Sequence, residues 1–321
     1  MTRPLFLKAS TLNQRDNFIQ LNKIESSRIS QGLQHPHDSL WDMSDGTRAQ
    51  SRNRYTNVFP YNKSRVKLPV TSGSDYINAS HIALNSNKYI ACQGPLESTI
   101  HHFWAMAFHE SELQGNNTII VVMVTPLLEA GVTKCSKYWP DQHKTHLELT
   151  RQIHHDNIDL PDLSVHYIAH HYVTEGDFTL SEFELKSGPI TKKVFHFYYH
   201  MWADAKVPPS VRPLIHLSLN MRSLQAEHTN PPVPIVHCSA GVGRTGTFLA
   251  IDHLFHNFKK LINDAVSDDI SSKYDPVHDP ILNTVLQLRY GRMMMVQTVY
   301  QYTFLYDSAK LLYKERRGKF S

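Results

Sequence analysis

The run Pro234-Ile235-Val236-His237-Cys238-Ser239-Ala240-Gly241-Val242-Gly243-Arg244-Thr245-Gly246 constrains the fold more than any other part of this chain. Pro234 to His237 is a short β-branched segment that predicts a buried strand, and Phe248, Ile251, Leu254, Phe255 and Phe258 recur at helical spacing beyond Gly246. The residues between them must join a strand end to a helix start. Three glycines let this joint curl so that successive backbone N–H groups face one point at the positive end of the helix, which makes an anion cradle. Cys238 begins the curl, where those groups favour the thiolate, and the thiolate is the nucleophilic form of cysteine. Arg244, six residues on, carries a planar fork of donors suited to two oxygens of a tetrahedral dianion. The whole describes a phosphate site with a nucleophile beneath it.

Gly241-x-Gly243-x-x-Gly246 also matches the dinucleotide-binding fingerprint, which needs a second strand ending in an acidic residue about 20 positions on. Here Asp264 follows a helical run and precedes polar Ser267-Asp268-Asp269, and 75 residues after Gly246 are too few for a doubly wound domain. Treating Cys238 as a small buried apolar residue explains neither the glycines nor Arg244.

With 321 residues and 41% hydrophobic content, the chain can bury a substantial core, as one large domain or two small ones. It has no repeat of helical-hairpin or propeller period and no low-complexity linker, which favours one catalytic domain. A net charge of +4 without any Lys/Arg block suits acidic partners and does not indicate nucleic acid. Three cysteines argue against a disulfide framework and for a reducing compartment, so a cytoplasmic location with nuclear access open is expected. Apolar runs such as Ile119 to Val124 fall far short of the roughly 20 residues that span a bilayer. Met1-Thr2-Arg3-Pro4 opens no apolar signal core, Thr2 stands where myristoylation needs glycine, and no prenylation box ends the chain. No membrane insertion is expected, and a monomer is.

In residues 1–49, Leu12, Phe18, Leu21 and Ile24 stand loosely at helical spacing and predict one or two helices packed on or preceding the domain. Asn53 to Val66 reads as a loop leading into a strand; Asp75–Ser80 and Tyr89–Pro95 read as strands, with Cys92 a core residue. Phe103–Phe108 predicts helix, and Thr118–Thr125 a strand covered on both faces. Residues 141–163 lose periodicity and read as a surface insertion. Tyr167–Val173, Phe178–Leu185 and Val194–His200 alternate as antiparallel strands, the stretch after Trp202 turns polar and Pro-rich, and Ile281–Leu288 and Tyr300–Tyr313 predict helices. The pairs His101-His102, His154-His155 and His170-His171 lack zinc-type spacing and read as surface or sheet residues; no metal and no cofactor is expected.

The string His-Cys-x5-Arg-Thr-Gly, with these glycines, resembles the cysteine-dependent protein tyrosine phosphatases. The Asn53-Arg54-Tyr55 loop, Tyr76-Ile77-Asn78-Ala79-Ser80, Gln93-Gly94-Pro95, Phe103-Trp104 and Lys134-Cys135-x-x-Tyr138-Trp139-Pro140 follow that family's order, from about residue 50 to 315. Val242-Gly243-Arg244-Thr245-Gly246-Thr247-Phe248 and Met295-Val296-Gln297-Thr298 are most similar to the fungal soluble members. The resemblance implies an α/β fold, a single domain with a highly twisted mixed sheet flanked by helices, spanning 50–317. It implies hydrolysis of phosphotyrosine in proteins, with signalling kinases as candidate partners. By the same resemblance Cys238 is the nucleophile and Ser239, Ala240, Gly241, Val242, Gly243 and Arg244 form the cradle. Thr245 stabilises the leaving thiolate, Gln297 and Gln301 position water, Tyr55 lines the pocket wall, and His237, Glu129 and Lys134 support the site. Asn57 replaces the family's usual aspartate, and Met294 stands where relatives can have a small residue.

Release of a phenolate, whose conjugate acid has a pKa of about 10, needs a general acid. Trp139-Pro140-Asp141 spells the family's acid triplet literally, and Trp202-Ala203-Asp204-Ala205-Lys206-Val207-Pro208 spells it imperfectly. Position selects Asp204, because the family's acid loop follows a strand shortly before the cysteine and ends in a proline four residues after the aspartate. Ala203 and Ala205 depart from the usual Pro and bulky apolar residue. Two other classes stay open on the residues alone: a phosphotyrosine-binding pseudophosphatase, and a dual-specificity or lipid phosphatase with the same Cys-x5-Arg loop.

Overall fold

The computed structural model describes residues 4–150, 159–203, 206–265 and 274–318. In chain order, α1 (Thr11–Gln34) and α2 (Ser44–Arg48) precede β1 (Arg65–Lys67), β2 (Tyr76–Leu84) and β3 (Asn87–Cys92). Then come α3 (Ile100–Leu113), β4 (Thr118–Met123), the short ribbon β5 (Leu128–Glu129) and β6 (Val132–Thr133), and β7 (His146–Leu149). The long strands β8 (Leu163–Val173), β9 (Phe178–Ser187) and β10 (Ile190–Tyr198) lead to α4 (Arg212–Ala226), β11 (Ile235–His237), α5 (Gly243–Ala265), α6 (Pro280–Gly291) and α7 (Val299–Gly318).

Apart from the ribbon, the strands form one mixed sheet in the order β1-β2-β3-β11-β4-β10-β9-β8-β7. Its centre is parallel: β11 pairs with β3 and β4, placing Val236 opposite both Ala91 and Val122, and β10 pairs with β4. Both flanks are antiparallel. β11 is three residues long, but ladders on both sides fix its register, so the residue that follows it is placed at the carboxyl end of the central strands. That is where open α/β sheets offer a crevice for ligands.

Alternation along the strands divides two cores. Ile120, Val122, Val236 and Phe197 face Leu214 and Leu217 of α4, Phe248 and Ile251 of α5, Val285 of α6 and Leu305 of α7. Ile119, Val121, Met123 and Ile235 face Phe103, Trp104 and Ala107 of α3, with Val165 and Phe183 of the antiparallel flank. A strand covered on both faces has no polar side to present, which is why Thr118–Met123 reads as an unbroken apolar run. Each such side chain contributes roughly 1.5–3 kcal/mol on full burial.

Several sequence expectations change. α1 starts at a capping box, with Ser10 Oγ accepting from Asn13 N–H (3.1 Å) and Asn13 Oδ1 accepting from Ser10 N–H (3.0 Å). Phe18 and Leu21 are buried as expected, but Leu12 and Ile24 are exposed; the helix buries Gln14, Asn17 and Glu25 in their place. Residues 141–163 are not wholly insertion, because β7 closes the sheet edge by pairing His146–Leu149 with Leu163–His166; a four-residue strand is too short to show a period. The Pro-rich stretch after Trp202 contains α4, whose Leu214, Leu217 and Met221 are buried at helical spacing. His101 and His102 lie buried on α3, not on the surface or in the sheet, because that helix is covered nearly all round. His170 and His171 are exposed on β8, and His154-His155 lie outside the described residues. Among the described residues no helix is long and apolar enough to cross a membrane.

The joint after β11 depends on Gly241, which has φ +72° and where an added Cβ would stand 2.0 Å from the Cys92 carbonyl oxygen of the neighbouring strand. Gly115 shares the left-handed conformation (φ +64°) but faces open space. Gly115→Ala should therefore cost about 1 kcal/mol, the backbone penalty alone, whereas Gly241→Ala should cost about 3 kcal/mol or more because backbone must also move. Urea unfolding of the two variants checks this, and equal losses would contradict it.

Candidate active site

β11 delivers Cys238 to the sheet's carboxyl edge, 3% exposed, and α5 begins five residues later. Gly241 N–H donates to Cys238 Sγ (3.3 Å). The loop's carbonyls are held by Arg292, which was not singled out from sequence: its Nε donates to Gly241 O (2.9 Å) and its Nη2 to Ala240 O (3.0 Å). Arg292 is itself fixed by Asn78 Oδ1 (2.6 Å) and Ser80 Oγ (3.2 Å) on β2 and has no exposed surface. The signal for it was slight, an arginine wedged between Gly291 and Met293-Met294-Met295.

A pocket of about 190 Å³ opens above the thiol, lined by Tyr55, Asn57, Val58, Cys238, Ser239, Ala240, Gly243, Arg244, Gln297 and Gln301. Val242 points away from it into the core, fully buried. Ser239 Oγ donates to Lys134 O (2.7 Å), so its oxygen accepts from Tyr55 OH (2.7 Å), and this chain of bonds holds the aromatic wall against the cradle. Buried Gln301 accepts Gln297 N–H (2.9 Å) and Thr298 N–H (3.3 Å) at Oε1, which orders the start of α7 and leaves the Gln297 side chain exposed at the rim.

Arg244 is 2% exposed; its Nη1 donates to Trp202 O (2.7 Å) and lies 3.7 Å from Glu129 Oε2 on β5. Trp202, fully buried, donates from Nε1 to Lys206 O (2.8 Å), so the bonds of Trp202 join Arg244 to Lys206. Asp204 and Ala205 lie outside the described residues. Asp141 belongs to a separate depression with Trp139, Tyr167 and His170. Lys137 bonds its carboxylate, as do the N–H groups of His143 (2.8 Å) and Lys144 (3.0 Å), and these hold it well below the usual carboxylate range. A carboxylate so held is a poor proton donor at neutral pH.

Burial pushes the Cys238 thiol up, but the Arg244 guanidinium, then the Thr245 hydroxyl and N–H, then Gly241 N–H outweigh it, and the pKa is lowered. Thr245 Oγ1 is buried with no other acceptor among the described residues, so its proton is left to the sulfur. The other two thiols go the opposite way through desolvation: Cys92 is pushed up to about 12 and Cys135 still further. His237 is fully buried and held down to about 4, chiefly by burial, so it is neutral at pH 7. Its Nδ1–H donates to Cys238 O (3.0 Å), leaving Nε2 to accept from Tyr138 OH (2.6 Å), which in turn accepts from His196 Nε2–H (2.8 Å). One side of the Cys238 peptide is thereby locked without adding charge.

The family model described as protein-tyrosine phosphatase matches residues 49–310. Tyrosine-protein phosphatase 1 of Saccharomyces cerevisiae is 36% identical, over 96% of this chain and 97% of its own length. Tyrosine-protein phosphatase 2 of Schizosaccharomyces pombe is 37% identical over 92% of this chain, which spans only 39% of that relative. A solved structure of PTPN18, from work on its fingerprint on distinct HER2 tyrosine phosphorylation sites, superposes with a TM-score of 0.74 at 24% identity, covering 93% of this chain and 94% of the other. That likeness bears on the fold alone.

The contrast among the thiols makes a measurable prediction. Mild peroxide should oxidise Cys238 and spare Cys92 and Cys135, because oxidation follows thiolate character, and phosphate in the pocket should slow it. Inactivation by iodoacetate should likewise keep its rate well below pH 8.5, the ordinary thiol midpoint, since a lowered pKa keeps the thiolate populated as pH falls. Peptide mass spectrometry finding oxidation spread evenly over the three cysteines would contradict the single low-pKa site.

Proposed function

Because the chain belongs to the protein-tyrosine phosphatase family, we propose that it hydrolyses phosphotyrosine in proteins by two in-line displacements at phosphorus, both centred on Cys238. In the first, the Cys238 thiolate forms an S–P bond as the P–O bond to the phenol breaks, and Asp204 gives its proton to the departing oxygen. The cradle N–H groups and the Arg244 fork hold the equatorial oxygens as charge builds on them. In the second, water forms a P–O bond, the S–P bond breaks with its electron pair returning to sulfur, and the Asp204 carboxylate takes the water's proton. Thr245 donates to the regenerated thiolate, and Gln297 and Gln301 orient the water.

The observation that carries this reading is the lowered pKa of a buried thiol beside Arg244, with a pocket above it walled by Tyr55. An aromatic wall can stack on the phenyl ring and sets a depth suited to a long aryl phosphate, which favours phosphotyrosine over phosphoserine or a lipid headgroup. Asn57 lines the same pocket and contributes a neutral amide where a carboxylate would grip a peptide's N–H more strongly. The catalytic unit is taken as 50–317, with residues 1–49 packed on it through α1. A phosphotyrosine-bearing signalling kinase is a candidate substrate, and a cytoplasmic monomer is the proposed form.

Two variants separate the candidate acids. Asp204→Ala should slow hydrolysis of phenyl phosphates with strongly basic leaving groups on the order of 10²–10⁴-fold, and activated nitrophenyl esters much less, whereas Asp141→Ala should change neither. A steepened leaving-group dependence in the Asp141 variant, with none in the Asp204 variant, would reverse the assignment. Cys238→Ser should abolish turnover while phosphotyrosine peptides still bind, because an alcohol has no useful anionic fraction at neutral pH. Retention of a tenth of wild-type activity would rule out the covalent route.

A further inference from the structure

Gln297 follows a loop that the backbone does not adopt unaided. Met294 and Val296 both have φ +59°, a conformation that residues with a Cβ, and β-branched ones above all, take only when their surroundings impose it. Here a buried ion pair imposes it. Arg289, near the end of α6 and 2% exposed, donates from Nε to Met295 O (3.0 Å) and from Nη2 to Val296 O (3.0 Å). Glu25 of α1, 5% exposed, accepts Met294 N–H at Oε1 (2.6 Å) and meets Arg289 through Oε2 (3.0 Å). Asn22, one turn earlier on α1, accepts from Arg289 Nη1 (2.9 Å). Three successive loop residues are thus bonded by one pair of opposite charges, and the next residue is Gln297.

Resting on the two-step mechanism above, we propose that Glu25 and Arg289 are positioning residues for the second displacement, so that the N-terminal helix sets the placement of the glutamine that orients water. An apolar pair of similar volume would also hold α1 against α6, but it could not satisfy a loop N–H and two loop carbonyls in a left-handed backbone. The first displacement uses Cys238, Arg244 and Asp204 and does not need Gln297. A loosened loop therefore slows only the attack of water on the phosphocysteine, the step in which the S–P bond breaks and the proton passes to Asp204.

The test is rapid-quench kinetics with nitrophenyl phosphate on the full chain, following both the nitrophenol burst and the decay of acid-trapped phosphocysteine. Glu25→Ala and Arg289→Lys should slow that decay about tenfold, the scale of a small misplacement of a reacting group. Their kcat/KM per burst-titrated site should stay within about twofold of wild type. Glu25→Gln, which keeps an acceptor for Met294 N–H, should recover part of the loss. If kcat and kcat/KM fall in parallel with burst amplitude, the pair merely keeps the enzyme folded and the inference fails; unchanged decay in all three variants also refutes it. Absence of any phosphocysteine in the wild type would instead overturn the mechanism itself.

Discussion

A thiol kept almost out of water, yet with its pKa held down, is the constraint on which the rest of this structure depends. Cys238 is 3% exposed, and burial alone would protonate it. The fold answers with a guanidinium, a hydroxyl that has no other acceptor among the described residues, and N–H groups at the start of a 23-residue helix. Each needs its own placement: β11 must end between β3 and β4, Gly241 must curl against Cys92, and the His237 Nδ1–H must hold the Cys238 carbonyl.

The arginines near the site divide by what they bond to. Arg292 is wholly buried and, among the described residues, meets neutral acceptors, two cradle carbonyls and the Asn78 and Ser80 side chains, so its charge stays available to Cys238. The cost of burying it is offset by four hydrogen bonds and by the anion nearby. Arg289, three residues earlier, is paired with Glu25 and therefore holds shape while adding little field. Arg244 stands between these cases: Glu129 lies 3.7 Å away, near enough to orient the fork, while the short bond goes to the Trp202 carbonyl. That bond ties Arg244 to Trp202, two positions before the proposed acid in the chain.

Much of this was legible before any coordinates. The strand, cradle and helix around Cys238 follow from glycine spacing and from a change of hydrophobic period, both local properties. The same holds for the buried run of β4 and for the alternation of β8 to β10. Misreadings occurred where local pattern is weak. β7 is too short to show a period, α4 hides its Leu214, Leu217 and Met221 behind prolines, and the exposed Leu12 and Ile24 of α1 imitate a buried stripe.

By itself, then, the sequence determined the strand, curl and helix around Cys238 and Arg244, because they are encoded within about twenty consecutive residues, and the family, through motifs spread from about residue 50 to 315. Tertiary structure alone decided that Arg292 backs the cradle, that Glu25 reaches the loop before Gln297 across 269 positions, and that Ser239 ties Tyr55 to Lys134. These depend on sheet order. A late strand inserted between two early ones, and a first helix laid against the last two, bring together residues whose separation in the chain carries no periodic signal; only packing of both faces of the sheet fixes which of many buried polar groups meet.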